Sequence, residues 1–276
     1  MKLMAKLFIE GKIKALTGLH IGGSKTDIAI GDIDNSVIKT SEGVPYIPGS
    51  SLKGKIRSLL EKKDQEEIME KQGLSGEMKN DKKADTKENP LLCQCGKKDC
   101  AICVIFGSAA DKRTSEAGPT RLIVRDCHLS EETRRKMENR EDEYKELDLI
   151  YTESKWENVI DRITSRALHP RQTERVPQGA KFDFQMIFNI MEPQDIDKLD
   201  HLFLGLSLLE DDYLGGNGSR GYGRIEFNEL NLSVKTIADY EKGNDPQVLY
   251  MGDLKGFSQD KKIELKEKLK TMLGAE

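Results

Sequence analysis

Four of the chain's five cysteines, Cys93, Cys95, Cys100 and Cys103, fall within eleven residues. In a reducing compartment, thiols gathered this closely point to a metal before disulfides. Cys100 and Cys103 have the spacing of a zinc knuckle, and Gly96 supplies a turn that lets the sulfurs converge. A closed four-sulfur Zn2+ site leaves no coordination position open, so its role would be to pin a segment poor in core residues. The Cys93-x-Cys95 start is tight, which makes His128 the alternative fourth ligand; a redox pair or free thiols is the competing reading. Cys127 stands apart and reads as a small buried residue.

Other groups could meet an anion or hold a cation. Asp34 follows a glycine-containing stretch and is flanked by Asp32 and Asn35. An exposed carboxylate there can hold partly hydrated Mg2+, or simply stabilise a turn. Pro48-Gly49-Ser50-Ser51-Leu52-Lys53 joins a bend, small residues and a helix start, where free amides and two hydroxyls would suit a phosphate. Lys53 and Arg57 could extend that site by one turn. From Lys155 to Lys181 there are six Lys/Arg against three Asp/Glu, with Arg162, Arg166, Arg171 and Arg175 spaced along the segment. Gly216-Asn217-Gly218-Ser219-Arg220-Gly221 spells the dinucleotide-binding fingerprint, but a helix precedes it and a strand follows, the reverse of what that motif needs. A backbone with so little side-chain bulk, plus Arg220, can still press its N–H groups against phosphates.

The elements that must position these groups follow from periodicity. Residues 3–16 alternate as a half-buried strand, and Leu52, Ile56, Leu59 and Leu60 mark a helix over 50–62, capped by Ser50 or Ser51. Residues 120–129 read as a second strand, 182–190 as a third and 222–234 as a fourth. The apolar phase of the fourth slips by one between Phe227 and Leu230, as a β-bulge requires. A helix spans 195–210, a charged and exposed helical stretch covers 130–146, and a short helix covers 258–273. The order is β-α-β-β-α-β, an α+β ferredoxin-like arrangement shared with RNA-recognition folds.

Bulk properties set limits. Net charge is −4, so any phosphate-binding surface must be a local patch. Residues 61–90 carry 16 charged side chains of both signs and few large apolar ones, which reads as a surface insertion. No stretch is long and apolar enough to span a membrane, and the N-terminus runs directly into a strand pattern with no signal peptide, so a cytoplasmic location is expected.

Several segments together carry a resemblance. Leu16-Thr17-Gly18-Leu19-His20-Ile21-Gly22-Gly23 is followed by Ile30-Gly31-Asp32-Ile33-Asp34-Asn35-Ser36-Val37-Ile38. Then come Pro45-Tyr46-Ile47-Pro48-Gly49-Ser50-Ser51-Leu52-Lys53-Gly54, the stretch Asn158-Val159-Ile160-Asp161-Arg162-Ile163-Thr164, the run from Pro170 to Val176, and the glycine loop at 215–223. In this order they resemble the RAMP superfamily, in particular the backbone subunit of the type III-A (Csm) CRISPR interference complex. The resemblance covers about residues 5–57, 105–128 and 156–234; the 61–90 insertion has no match in it.

The resemblance implies a palm with an inserted lid and a β-hairpin thumb. Residues 1–60 would be palm, 61–120 lid with the cysteines, 121–142 palm strand, 143–180 thumb, 181–235 palm, and 236–276 a C-terminal helical extension. It implies that Asp34 cuts target RNA with Mg2+. RNA would lie on His20, Ser50, Ser51, Lys53, Arg57, Arg162, Arg166, Arg171, Arg175, Gly218, Ser219 and Arg220, with the thumb wedged into the guide–target duplex. The implied partners are the CRISPR guide RNA, single-stranded target RNA, further copies of the chain and the other Csm subunits, including the large polymerase-like one. A guide-binding scaffold that does not cut is the alternative, and the acid at position 34 is what separates the two. A stand-alone guide-processing nuclease is disfavoured, because the four histidines are scattered without an evident pair.

Overall fold

The computed structural model describes residues 1–23, 33–66, 68, 92–108 and 115–274. Asp32 and most of the charged 61–90 stretch therefore lie outside the described residues. The central strand β1 (Ala5–Ala15) buries Ala5, Leu7, Ile9, Ile13 and Ala15, the phase its alternation dictates. It pairs antiparallel with β7 (Lys181–Ile190) on one side, from Ala5 opposite Ile190 to Lys14 opposite Lys181. On the other side it pairs antiparallel with β8 (Ile225–Thr236). β3 (Leu122–Val124) and β4 (Cys127–Leu129) both pair with β7, β2 (Tyr46–Ile47) pairs with β4, and β9 (Gln247–Gly252) pairs with β8. The core order β3/β4-β7-β1-β8, antiparallel throughout, is the ferredoxin-like sheet expected from the sequence.

Two helices cover the buried face. α1 (Gly49–Lys63) turns Leu52, Ile56, Leu59 and Leu60 inward, and α4 (Leu199–Asp211) adds Leu202, Phe203, Leu206 and Leu209 to the same core. They cross at Gly205, where a Cβ would lie 2.6 Å from Ile56 Cγ2. The bulge falls where the phase slip put it. The β1–β8 register jumps from Lys12 opposite Asn228 to Glu10 opposite Asn231, leaving Glu229 and Leu230 facing Gly11. Glu229 takes φ 54° there, and a Cβ on Gly11 would meet the Asn228 carbonyl at 2.8 Å.

Four expectations need correction. The single strand over 120–129 is two, broken at Arg125 and Asp126, because the Asp126 carboxylate turns to accept the Gly49 N–H at 2.7 Å. The 130–146 stretch is α3 (Glu131–Glu138) followed by a 3-10 turn, and it is not merely exposed, since Met137 and Tyr144 are buried. The helix expected from Asp195 begins at Leu199, because the Asp195 carboxylate accepts the N–H groups of Met191 and Glu192 and closes a separate turn. The tail is not wholly helical. Between α5 (Ile237–Lys242) and α6 (Gln259–Leu273) it adds β9, which gives partners to the outer edge of β8.

Candidate nucleic-acid interface and metal centre

The end of β1 runs into Gly18, Leu19 and His20, and this short stretch gathers the other segments. Leu19 and Val176 exchange backbone hydrogen bonds at 2.9 and 2.8 Å. The His20 carbonyl accepts the Gly216 N–H at 2.8 Å, and the Gly18 carbonyl accepts the Gly223 N–H at 3.0 Å. His20 is buried, and its Nδ1 lies 2.7 Å from the Glu174 carbonyl, so that nitrogen carries the proton. The structure thus makes His20 a knot between the glycine loop and the hairpin. Gly215 is required by this approach: its φ is +81°, and a Cβ would fall 2.2 Å from the His20 carbonyl oxygen.

The hairpin is β5 (Glu153–Ile160) paired with β6 (Ala167–Arg175), separate from the main sheet. Its tip is closed by Asp161, whose carboxylate accepts the N–H groups of Ile163 and Thr164 at 2.9 and 2.7 Å. Ile163 projects with 95% of its surface exposed. Arg162 and Arg166 are exposed beside it, without an ion pair among the described residues. Arg171 and Arg175 differ. Arg171 is forked onto Glu157 at 2.8 and 3.2 Å, and Arg175 pairs with Glu153 at 2.7 Å while lying over the Tyr222 ring.

Asp34 lies at the root of this hairpin. It is exposed, and one oxygen accepts the Gln172 N–H at 3.0 Å. The neighbouring backbone is stitched to β6 as well: Asn35 N–H donates to the Gln172 carbonyl and Glu174 N–H to the Asn35 carbonyl. A residue not singled out in the sequence anchors the rest. Glu174 is buried; its carboxylate accepts the Val37 N–H at 3.0 Å and the Thr152 hydroxyl at 2.6 Å, and pairs with Lys39 at 2.6 Å. The only signal for it was a carboxylate inside an otherwise basic stretch. Glu157 was missed likewise; besides Arg171 it accepts the Tyr222 hydroxyl at 3.0 Å and sits 3.6 Å from Arg220.

The glycine loop forms a 3-10 turn over Gly218–Arg220, entered by Asn217 at φ 58°. Ser219 and Arg220 are exposed. Gly218 lies against the ring of Tyr213, which leaves no room for a Cβ, and Lys55 stacks over that ring at 3.6 Å.

At the start of α1 the expected capping differs. Pro48 is the N-cap residue, no side chain caps the helix from within, and Asp126 takes the Gly49 N–H. Part of the anion site read from the sequence is therefore filled by the protein's own carboxylate. Ser50 is exposed and Ser51 half-buried. Lys53 donates to the Leu122 carbonyl at 3.0 Å, and burial followed by the nearby Arg57 charge lowers its pKa. Arg57, expected on RNA, spends its guanidinium inside the protein, on Glu61 and on the carbonyls of Cys93 and Gly107.

The four cysteines come together without help from His128. Their sulfurs all lie within 4.8 Å of one another, with neighbouring pairs at 3.5 to 3.9 Å. A tetrahedron of thiolates around zinc at the usual bond length has edges of roughly 3.8 Å, so the donor set fits Zn2+. His128 instead stacks on Tyr46, with centroids 5.9 Å apart, and Cys93 is the fourth sulfur. Gly96 N–H donates to Cys103 Sγ, the turn contact expected of a knuckle. Hydrogen bonds from Cys100 and Cys93 hold the Cys103 thiol down to about 4, and hydrogen bonds with Cys100 and Cys103 push the Cys93 thiol up.

A ferredoxin-like palm with a cysteine-bearing insertion and a separate projecting hairpin sets the class of fold. Residues 12–226 match the family model described as the RAMP superfamily, and the chain belongs to it. Among its relatives is the CRISPR system Cms endoribonuclease Csm3 of Methanocaldococcus jannaschii, 42% identical over 245 residues, covering 88% of this chain and 86% of that one. The protein of the same name from Methanothermobacter thermautotrophicus is 40% identical over 272 residues, covering 94% and 97%. A crystal structure of a Csm3-Csm4 subcomplex of the type III-A CRISPR-Cas interference complex superposes with a TM-score of 0.57 at 30% identity, over 97% of this chain and 98% of that one. No helix among the described residues is long and apolar enough to cross a membrane.

Proposed function

We propose that this chain is the guide-binding backbone subunit of a type III-A interference complex, and that it cuts complementary target RNA at Asp34 in a metal-dependent reaction. The observation that carries the proposal is the placement of Asp34, an exposed carboxylate fastened to the root of a basic hairpin by the Gln172 N–H. One oxygen is held and the residue is exposed, which suits a cation bound through a single carboxylate and otherwise by water and substrate phosphates. Mg2+ bound there would stabilise the extra negative charge of the phosphorane and its leaving oxygen. The chain's own residues do the positioning. Glu174 fixes the Val37–Lys39 side of the loop, Asn35 locks it to β6, and the hairpin with Arg162 and Arg166 holds the RNA.

Guide RNA would run past the glycine loop, with Gly218, Ser219 and Arg220, and past Ser50 and Ser51 at the head of α1. Arg171 and Arg175 would meet phosphates from within their existing pairs with Glu157 and Glu153. His20 supports this surface from beneath. The partners proposed are the guide, the target, neighbouring copies of the chain and the remaining Csm subunits, including the polymerase-like one, in the cytoplasm. Structural Zn2+ would sit on Cys93, Cys95, Cys100 and Cys103.

The test is cleavage of end-labelled target RNA by the guide-loaded assembly, in Mg2+ and then in EDTA, for wild type and Asp34→Ala. Regularly spaced products that vanish with the substitution or the chelator, while target binding persists, are expected. Tight guide-dependent binding with no cutting by the wild type would leave a scaffold.

A further inference from the structure

The cysteine segment is tied to the palm at both of its ends by one pair of side chains. Cys93 donates its backbone N–H to Glu61 Oε1 at 3.0 Å and accepts Arg57 Nη2 on its carbonyl at 2.8 Å. Arg57 Nη1 reaches the Gly107 carbonyl at 3.2 Å, at the far end of α2 (Ala101–Phe106). Cys100 is the N-cap residue of that helix and Cys103 lies in its first turn. Arg57 Nε and Glu61 Oε1 close the arrangement at 2.8 Å, one helical turn apart on α1. Both side chains are mostly buried, with 18% and 11% of their surfaces exposed.

We infer that the Arg57–Glu61 pair is the outer-shell support of the metal centre, presetting Cys93 as a ligand and coupling metal occupancy to α1. This rests on the reading of the four cysteines as a metal site. The physical reason lies in the chain itself. Cys93 is fully buried, but it lies in no helix or strand and only one residue separates it from Cys95, so no regular secondary structure fixes its backbone. Hydrogen bonds to both its N–H and its carbonyl do so, and they aim Sγ at the other three sulfurs. Because the same guanidinium also holds the exit of the segment at Gly107, the loop that must close around the ion is closed before the ion arrives. Removing Arg57 leaves two partly buried carbonyls without their donor and frees the ligand that the sequence ties least. Outer-shell partners of this kind commonly set metal affinity by ten- to a hundredfold.

The experiment is competition for Zn2+ between the purified full-length chain and a chromophoric chelator, with Co2+ substitution as a spectroscopic readout of the ligand set. Arg57→Met is expected to weaken Zn2+ binding by about ten- to a hundredfold while the Co2+ complex keeps its four-thiolate tetrahedral spectrum. Arg57→Lys, which keeps the charge but cannot reach both carbonyls in a fork, is expected to recover only part of the loss. Cys93→Ser should change the spectrum itself. Wild-type affinity in Arg57→Met overturns the inference. If Arg57→Met fails to fold by circular dichroism, Glu61→Ala, which removes the acceptor of both the Cys93 N–H and Arg57 Nε, decides: weakened Zn2+ binding supports the pair, and unchanged binding overturns it. A wild-type chain that takes up neither metal removes the metal-centre reading, and the inference with it. Normal wild-type uptake with an indifferent Arg57→Met removes the inference alone.

Discussion

Asp34 and Gln172 stand 138 positions apart in the chain, yet the carboxylate of one accepts the backbone N–H of the other at 3.0 Å. This contact makes Asp34→Asn a sharper test than alanine. An asparagine oxygen can still accept that N–H, so the loop keeps its place, but the charge that would hold a cation is gone. Target cleavage should fall by at least about a hundredfold in the guide-loaded complex. Target affinity, read by gel shift in EDTA, should not change.

Charge on the hairpin separates by pairing. Arg162 and Arg166 have no ion pair among the described residues, whereas Arg171 already shares Glu157. A free arginine that meets a phosphate releases counterions, and its loss lowers the slope of log affinity against log salt by roughly one. Arg162→Ala and Arg166→Ala are each expected to flatten the salt dependence of RNA binding by about that amount. Arg171→Ala should flatten it less, because it also unmasks Glu157.

Arg121 and Asp195 form an ion pair at 2.8 Å with 2% and 1% of their side chains exposed. The aspartate also holds the turn before α4, and the arginine donates to the Ala117 and Pro119 carbonyls. Removing one member of such a pair strands the other in the interior, at about 3–5 kcal/mol. Arg121→Met should lower the thermal midpoint by roughly 6–15 °C, read by calorimetry.

Cys127 is fully buried in β4, and burial pushes its thiol up to about 12 from an ordinary 9.0. The folded state therefore keeps a proton that the unfolded chain gives up. Stability attributable to this thiol is intact below about pH 9 and declines from there towards pH 12, by at most about 1.4 kcal/mol per pH unit. Urea unfolding at pH 8 and pH 10 should show a steeper loss for wild type than for Cys127→Ala. Parallel losses in the two would refute it.

The sheet was legible because its signals are local. The alternation in β1, the helical stripe of α1 and the phase slip in β8 each follow from a period of two or of 3.6, and each appeared where expected. The thiol cluster was legible for the same reason, its four residues being close in sequence. What the sequence hid depends on distant partners. The break at Arg125 and Asp126 exists because a helix N-terminus 77 positions away needs an acceptor. β9 is short and half-exposed, and it forms because β8 offers it an edge. Glu174 and Glu157 look like ordinary charges in a basic stretch until folding brings them against Val37, Lys39 and Tyr222. Arg57 was read as a surface cation for want of any sign that carbonyls at 93 and 107 would close over it.

The loop bearing Asp34 is bonded to β6, including Glu174, on one side and to Ile21 and Gly23, just beyond β1, on the other. The acid and the hairpin therefore form one gauge. From Gln172 to the tip at Ile163 an extended strand reaches at most roughly 30 Å, at about 3.3 Å per residue. Whatever the tip grips lies at an offset from the carboxylate that the length of the hairpin sets. Lengthening the hairpin by a pair of residues on each strand would change that offset without touching Asp34, and the cut would move along the RNA while its chemistry stayed the same.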